Sequence, residues 1–174
     1  MNMKPPRLIN AIEENFDCGM KVFINTSNFK IIFLPDFDTL FFDEELWADQ
    51  KKELDENWEN YIEIESWDSS FAFEVMKSFA ENINVNGLFS NRLFISLHNP
   101  NPFTWFKNVI DYENEYRQQW FEYKKNQQQN YVKKELERLF QWIATADNMV
   151  FAKCGVKVLN WKAEFFTRIC FSIP

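Results

Sequence analysis

The chain has 174 residues, of which 46% are hydrophobic and 18% aromatic, and it carries a net charge of −7. So large an apolar share excludes an intrinsically disordered chain, and only 3 Gly with 6 Pro excludes collagen-like and loop-rich sandwich architectures. The length fits one domain spanning residues 1–174.

Pro5 and Pro6, followed by Leu8, Ile9, Ile12 and Phe16, predict a short amphipathic helix that Cys18 and Gly19 terminate. Val22, Phe23 and Ile24, and then residues 29–34, flank the polar Asn25, Thr26, Ser27 and Asn28, which predicts a β-hairpin. Phe29, Ile31 and Phe33 fall on one face of its second strand, Ile32 and Leu34 on the other with Lys30. Two apolar faces predict that this strand is central or covered by helices, and Pro35 ends it. Residues 43–58 read as an acidic helix with Leu46, Trp47, Leu54 and Trp58 inward. Residues 61–65 alternate and predict a half-buried strand that pairs with the hairpin.

Asp68 reads as an N-cap for a helix carrying Ala72, Val75, Met76, Phe79 and Ile83, which residues 84–87 terminate. Residues 88–97 suit a short helix or a strand equally. The break at Asn99, Pro100, Asn101 and Pro102 precedes a helix carrying Phe103, Phe106 and Ile110. From Glu113 the pattern is helical for about thirty residues. Tyr116, Trp120 and Tyr123 form one stripe on it, and Val132, Leu136, Leu139 and Ile143 a second. The polar residues 124–130 between them suit exposed helix or a break. Residues 150–159 and 165–171 read as short strands in a tail.

Charge is unevenly placed. Residues 1–86 hold 18 acids and 7 bases, and residues 87–174 hold 8 acids and 12 bases. Residues 36–60 alone carry ten acids against Lys51 and Lys52. That segment reads either as a solvated helix or as an acidic face for a partner. An acidic chain repels phosphate backbones, so nucleic acid is disfavoured as a partner. The basic half leaves one local route open through Lys133, Lys134 and Arg138. Residues 1–12 lack the apolar stretch of a signal peptide, and no run reaches the length of a membrane span. Cys18, Cys154 and Cys170 form no C-x-x-C pair and no disulfide framework; each reads as a small buried hydrophobe, and together they suit a cytoplasmic compartment.

Chemistry-bearing motifs are sparse. Asp36 and Asp38 follow an apolar strand, as the paired aspartates of a Mg²⁺-dependent phosphotransfer loop do, but no glycine follows Asp38 and Thr39 sits one place early. Turn-forming and helix-capping aspartates explain the pair better. Asp43, Glu44 and Glu45 read as first-turn charges of a helix rather than as cation ligands. His98, the single histidine, has no partner nearby in sequence. The stripe Tyr116, Trp120 and Tyr123 suits core packing, or base stacking beside Arg117 and Lys124.

The order Tyr61, Ile62, Glu63, Ile64, then Trp67, Asp68, Ser69, Phe73, Met76 and Phe79 continues in Phe103, Trp105, Phe106, Lys107 and Ile110, and then in Arg117, Trp120, Tyr123 and Lys124. Over about residues 8–139 this resembles the bacterial Uncharacterised Protein Family 0158, with its Y-I-E-I strand and an R-x-x-W motif on a long helix. Thr104 and Trp105 replace that family's basic pair, and residues 145–174 lie outside the resemblance. The resemblance implies a bacterial protein and a fold. It brings no activity.

The expectation is therefore an α+β fold: a small antiparallel sheet covered by helices, a long C-terminal helix and a short strand-like tail. The expected function is a non-catalytic protein-interaction module with another protein as partner, no membrane and no cofactor. Its candidate binding residues are Phe106, Lys107, Arg117, Trp120, Tyr123 and Lys124. The alternative is a small metal-dependent enzyme acting on phosphates or nucleotides, with Asp36 and Asp38 at the metal.

Overall fold

The computed structural model describes residues 5–37, 43–83, 87–112 and 114–154. The fold is α+β: among the described residues there are six α-helices and a three-stranded antiparallel sheet, with a long C-terminal helix. The elements run α1 (Pro5–Asp17), β1 (Met20–Asn25), β2 (Ile31–Pro35), α2 (Ala48–Asn57), β3 (Tyr61–Ile64), α3 (Ser69–Asn82), α4 (Gly87–Leu97), α5 (Pro102–Tyr112) and α6 (Asn114–Cys154). The described residues fall into two compact units: those from 5 to 66 together with those from 131 to 154, and those from 67 to 130.

The first unit is built on β1. Its sheet order is β2-β1-β3, so β1 is central and β2 lies at an edge. The expectation of a central second strand is thereby corrected, although its other half holds, since Ile32 and Leu34 are buried. Strand alternation explains the layering. Val22 and Ile24 face the same way as Phe33 and Ile31 on one side and as Ile64 and Ile62 on the other. This face packs against Leu8, Ile9 and Ile12 of α1 and against Val132, Leu136, Leu139, Phe140 and Ile143 of α6. Phe23, Ile32, Leu34 and Tyr61 share the opposite face, where α2 meets β2.

Local chemistry sets the turns. Gly19 ends α1 at φ 72°, a left-handed conformation open to glycine at little cost, and its N–H donates to the Phe16 carbonyl at 3.0 Å. In the hairpin, Asn25 Oδ1 accepts from the N–H groups of Ser27 (2.9 Å) and Asn28 (3.1 Å). The turn therefore takes in Phe29, at φ 58°, and β2 starts two residues later than the sequence predicts. The Phe29 ring meets Phe140 edge-on at 5.3 Å, a contact that offsets the strain of a bulky residue in that region.

The acidic helix departs from expectation. Residues 44–47 form a 3₁₀ turn, capped by Asp43, before α2 begins. Neither contains a buried residue. Leu46 is 74% exposed and Trp58 is 68% exposed, which corrects their inward assignment; Trp47 and Leu54 are half-buried. Only two apolar side chains, Ala48 and Leu54, lie within α2, too few for an apolar stripe.

The second unit is helical. The Asp68 carboxylate accepts from the Phe71 N–H at 2.7 Å, as an N-cap should. Residues 87–97 resolve to a helix, and Asn101 turns the chain at φ 60° into α5. Met76, Phe79, Ala80, Phe89, Leu93, Leu97, Phe106 and Ile110 form the core. The polar residues 124–130 are helical, inside α6. So are residues 150–154, which corrects the first predicted tail strand. A continuous apolar run carries no period of its own, and the Ala-containing segment before it favours helix. Residues 155–159 and 165–171 lie outside the described residues.

Leu136 is fully buried, so Leu136→Ala is expected to cost about 2–5 kcal/mol, and Asp68→Ala about 1 kcal/mol through the lost cap. Urea midpoints measure both.

Candidate functional site

The expected binding residues lie in the second unit, and the structure sorts them into two groups. Phe106 is 2% exposed. Its ring meets Trp120 at 4.9 Å and Phe79 at 6.4 Å, and Phe79 in turn meets Trp120 at 5.2 Å and Tyr123 at 5.4 Å. These aromatics are brought together as core, with edge-to-face packing between most rings. Tyr116 stacks on Phe89 at 4.1 Å, and the Tyr123 hydroxyl donates to Ser78 Oγ at 2.9 Å. The cations stand apart from that cluster. Lys107 is exposed and Lys124 half-buried. Arg117 donates from Nε to Asp111 Oδ1 at 3.0 Å, and its guanidinium lies 5.1 Å from the Phe121 ring.

The carboxylate alternative has one member in view. Asp36 Oδ1 lies 3.0 Å from Lys21 Nζ, at the end of the β1–β2 ladder, while Asp38 lies outside the described residues. Among the described residues no group of three or more His, Cys, Asp or Glu side chains is placed to hold a metal ion. Asp43 accepts from the Glu45 N–H at 3.1 Å, and Glu44 pairs with Lys51 at 3.2 Å, so both serve their own helix. His98 Nδ1 lies 2.8 Å from the Phe94 carbonyl oxygen on the helix it ends. Cys18 is exposed rather than buried, because it falls after the last turn of α1.

The arrangement that the sequence does not reveal is in the first unit, on α2. Its exposed Ala48, Lys51, Lys52, Asp55 and Glu56, with Glu44 and Glu45 of the preceding turn, line an open groove of about 540 Å³. Leu46 and Trp58 are exposed just before and just after α2. Glu45, Asp49, Asp55 and Glu59 have no ion-pair partner among the described residues, so the face is negative in net. Trp is among the side chains enriched at the energetic anchors of protein interfaces.

On the inward side, Glu53 is a polar hub. Lys30 Nζ donates to Oε1 at 2.6 Å and also reaches Oε2, and the Tyr61 hydroxyl donates to Oε1 at 2.9 Å. The Lys30 hydrogen bond is the main reason the Glu53 carboxyl is held below its usual range, with Tyr61 adding to it. Burial, then the hydrogen bond to Glu53, pushes the Tyr61 phenol up. Nothing local in sequence signals this hub, since Glu53 lies 23 residues from Lys30.

No family model, no curated protein and no solved structure matches the chain. Among the described residues no helix is long and apolar enough to cross a membrane.

A lowered carboxyl value stabilises the fold above its ordinary 4.5, and that contribution is lost as pH falls through the depressed value. The raised Tyr61 value acts oppositely: its contribution is complete below 10.0 and is lost as pH rises through the raised value. Glu53→Gln is therefore expected to flatten the acid limb of stability, read as urea midpoints between about pH 5 and 2. An unchanged limb would contradict the role given to Glu53.

Proposed function

We propose that the chain is a non-catalytic protein-interaction module whose contact face is the outward side of α2, and whose partner is a protein segment carrying basic and apolar side chains. The observation that carries this reading is the pairing of exposed Leu46 and Trp58 with a helix that buries none of its own residues. Scattered exposed apolar side chains are ordinary on a protein surface. Here two large ones flank a helix of net negative charge. Negative charge steers a basic partner toward the face, and desolvation of the Trp58 ring holds it there. The ion pair of Asp36 with Lys21 supports the same preference over a metal-dependent catalytic reading, and the core packing of Phe106 and Trp120 moves the proposed contact face away from the residues expected to carry it. Cysteine usage without disulfide spacing supports a cytoplasmic setting, and the likeness to Uncharacterised Protein Family 0158 supports a bacterial one.

The test compares affinity capture by the native chain and by Leu46→Ser/Trp58→Ser. Both positions are exposed, so the melting transition should move by no more than about 0.5 kcal/mol per site. The expected result is a protein held by the native chain, released as salt rises from about 0.15 M toward 1 M, and bound at least about tenfold more weakly by the variant. A partner held equally by both chains would remove α2 as the contact face.

A further inference from the structure

We infer that α2 is a releasable strap over the second face of the sheet, clipped by Glu53 and covering Ile32 and Leu34. The inference does not depend on what binds the outward side of the helix. Ile32 and Leu34 are 3% and 5% exposed, and their register places them on the face opposite Val22 and Ile24. Among the described residues, α2 meets β2, and α2 contains no buried residue. The apolar surface that α2 brings to β2 is small: Leu54, with Trp47 just before it, both half-buried.

The directional tie is polar. Glu53 takes hydrogen bonds from Lys30, which precedes β2, and from Tyr61, which opens β3. The Lys30 and Glu53 side chains remain 53% and 33% exposed, so water competes for this clip. Segments held by few buried contacts and by exposed polar bonds open at lower free energy than the strands beneath them. Glu45 and Asp49, four residues apart and without ion-pair partners among the described residues, add a like-charge repulsion where the strap begins. The β1–β2 and β1–β3 ladders do not include α2, so its release leaves them paired and turns Ile32 and Leu34 into an accessible apolar surface.

The experiment is thiol labelling at Leu34→Cys in a chain with Cys18→Ser, Cys154→Ser and Cys170→Ser, with and without Glu53→Ala. Alanine keeps helix propensity and removes only the clip. The expected result is labelling faster than the amide exchange of Val22, Phe23 and Ile24, and at least about threefold faster still with Glu53→Ala, while exchange at those three amides is unchanged. In the chain with its native Leu34 and cysteines, the α2 amides are expected to exchange at least about tenfold faster than those three. Labelling and α2 exchange no faster than β1 exchange would show that the strap opens only with the whole unit, and would overturn the proposal. So would a labelling rate that Glu53→Ala leaves unmoved.

Discussion

The first unit depends on one constraint, the two-residue alternation of β1 between two partners. Val22 and Ile24 are 0% and 1% exposed, and each is paired on both sides. A one-residue slip of β1 would turn both side chains to the opposite face. Leu8, Ile9 and Ile12 of α1, and Val132 and Leu136 of α6, would then lose the surface they pack on. The hairpin turn holds that register through Asn25, whose side chain accepts two backbone N–H groups, and it places Phe29 against Phe140.

The two faces of that sheet are covered by different physics. One is closed by apolar side chains from two helices. The other is met by α2, a helix rich in charge, through half-buried residues and the Glu53 hub. A polar clip has direction but is worth little where water reaches it. An apolar core has no direction but removes water altogether. This difference gives the acidic helix its properties: its charged residues and flanking Leu46 and Trp58 remain available for contact, and its hold on the sheet rests on a few side chains.

In the second unit the constraint is aromatic volume. Phe79 and Phe106 are almost wholly buried, and Trp120 and Tyr123 close on them from α6. The same stripe that resembles a base-stacking surface in sequence thus packs inward. Its cations lie elsewhere, with Arg117 committed to Asp111 and lying over Phe121. Aromatic spacing at helical period marks a face but not what occupies it.

The hairpin, the Tyr61–Ile64 strand, the Asp68 cap, the break at Asn101 and the long final helix were legible because each depends on contacts within a few residues, or on a strict period of 2 or 3.6. Strand order was less legible: β2 has two apolar faces, yet it lies at an edge of the sheet, where α2 meets it. Period failed where it was weakest, in the sparse apolar positions around α2 and in the unpatterned run at 150–154. The candidate face was visible in sequence only as charge density. That Leu46 and Trp58 turn outward accompanies breaks in helical geometry at Trp47 (φ −113°, ψ 7°) and Asn57 (φ −131°, ψ 21°), which interrupt any single helical stripe. That Glu53 joins Lys30 and Tyr61 follows from the folding of β2 and β3 onto β1. Chain-local chemistry determined which segments are helix or strand. Only the tertiary structure decided which polar and apolar side chains meet, because a hydrogen bond or a buried contact between distant residues has no signature until the chain between them has folded.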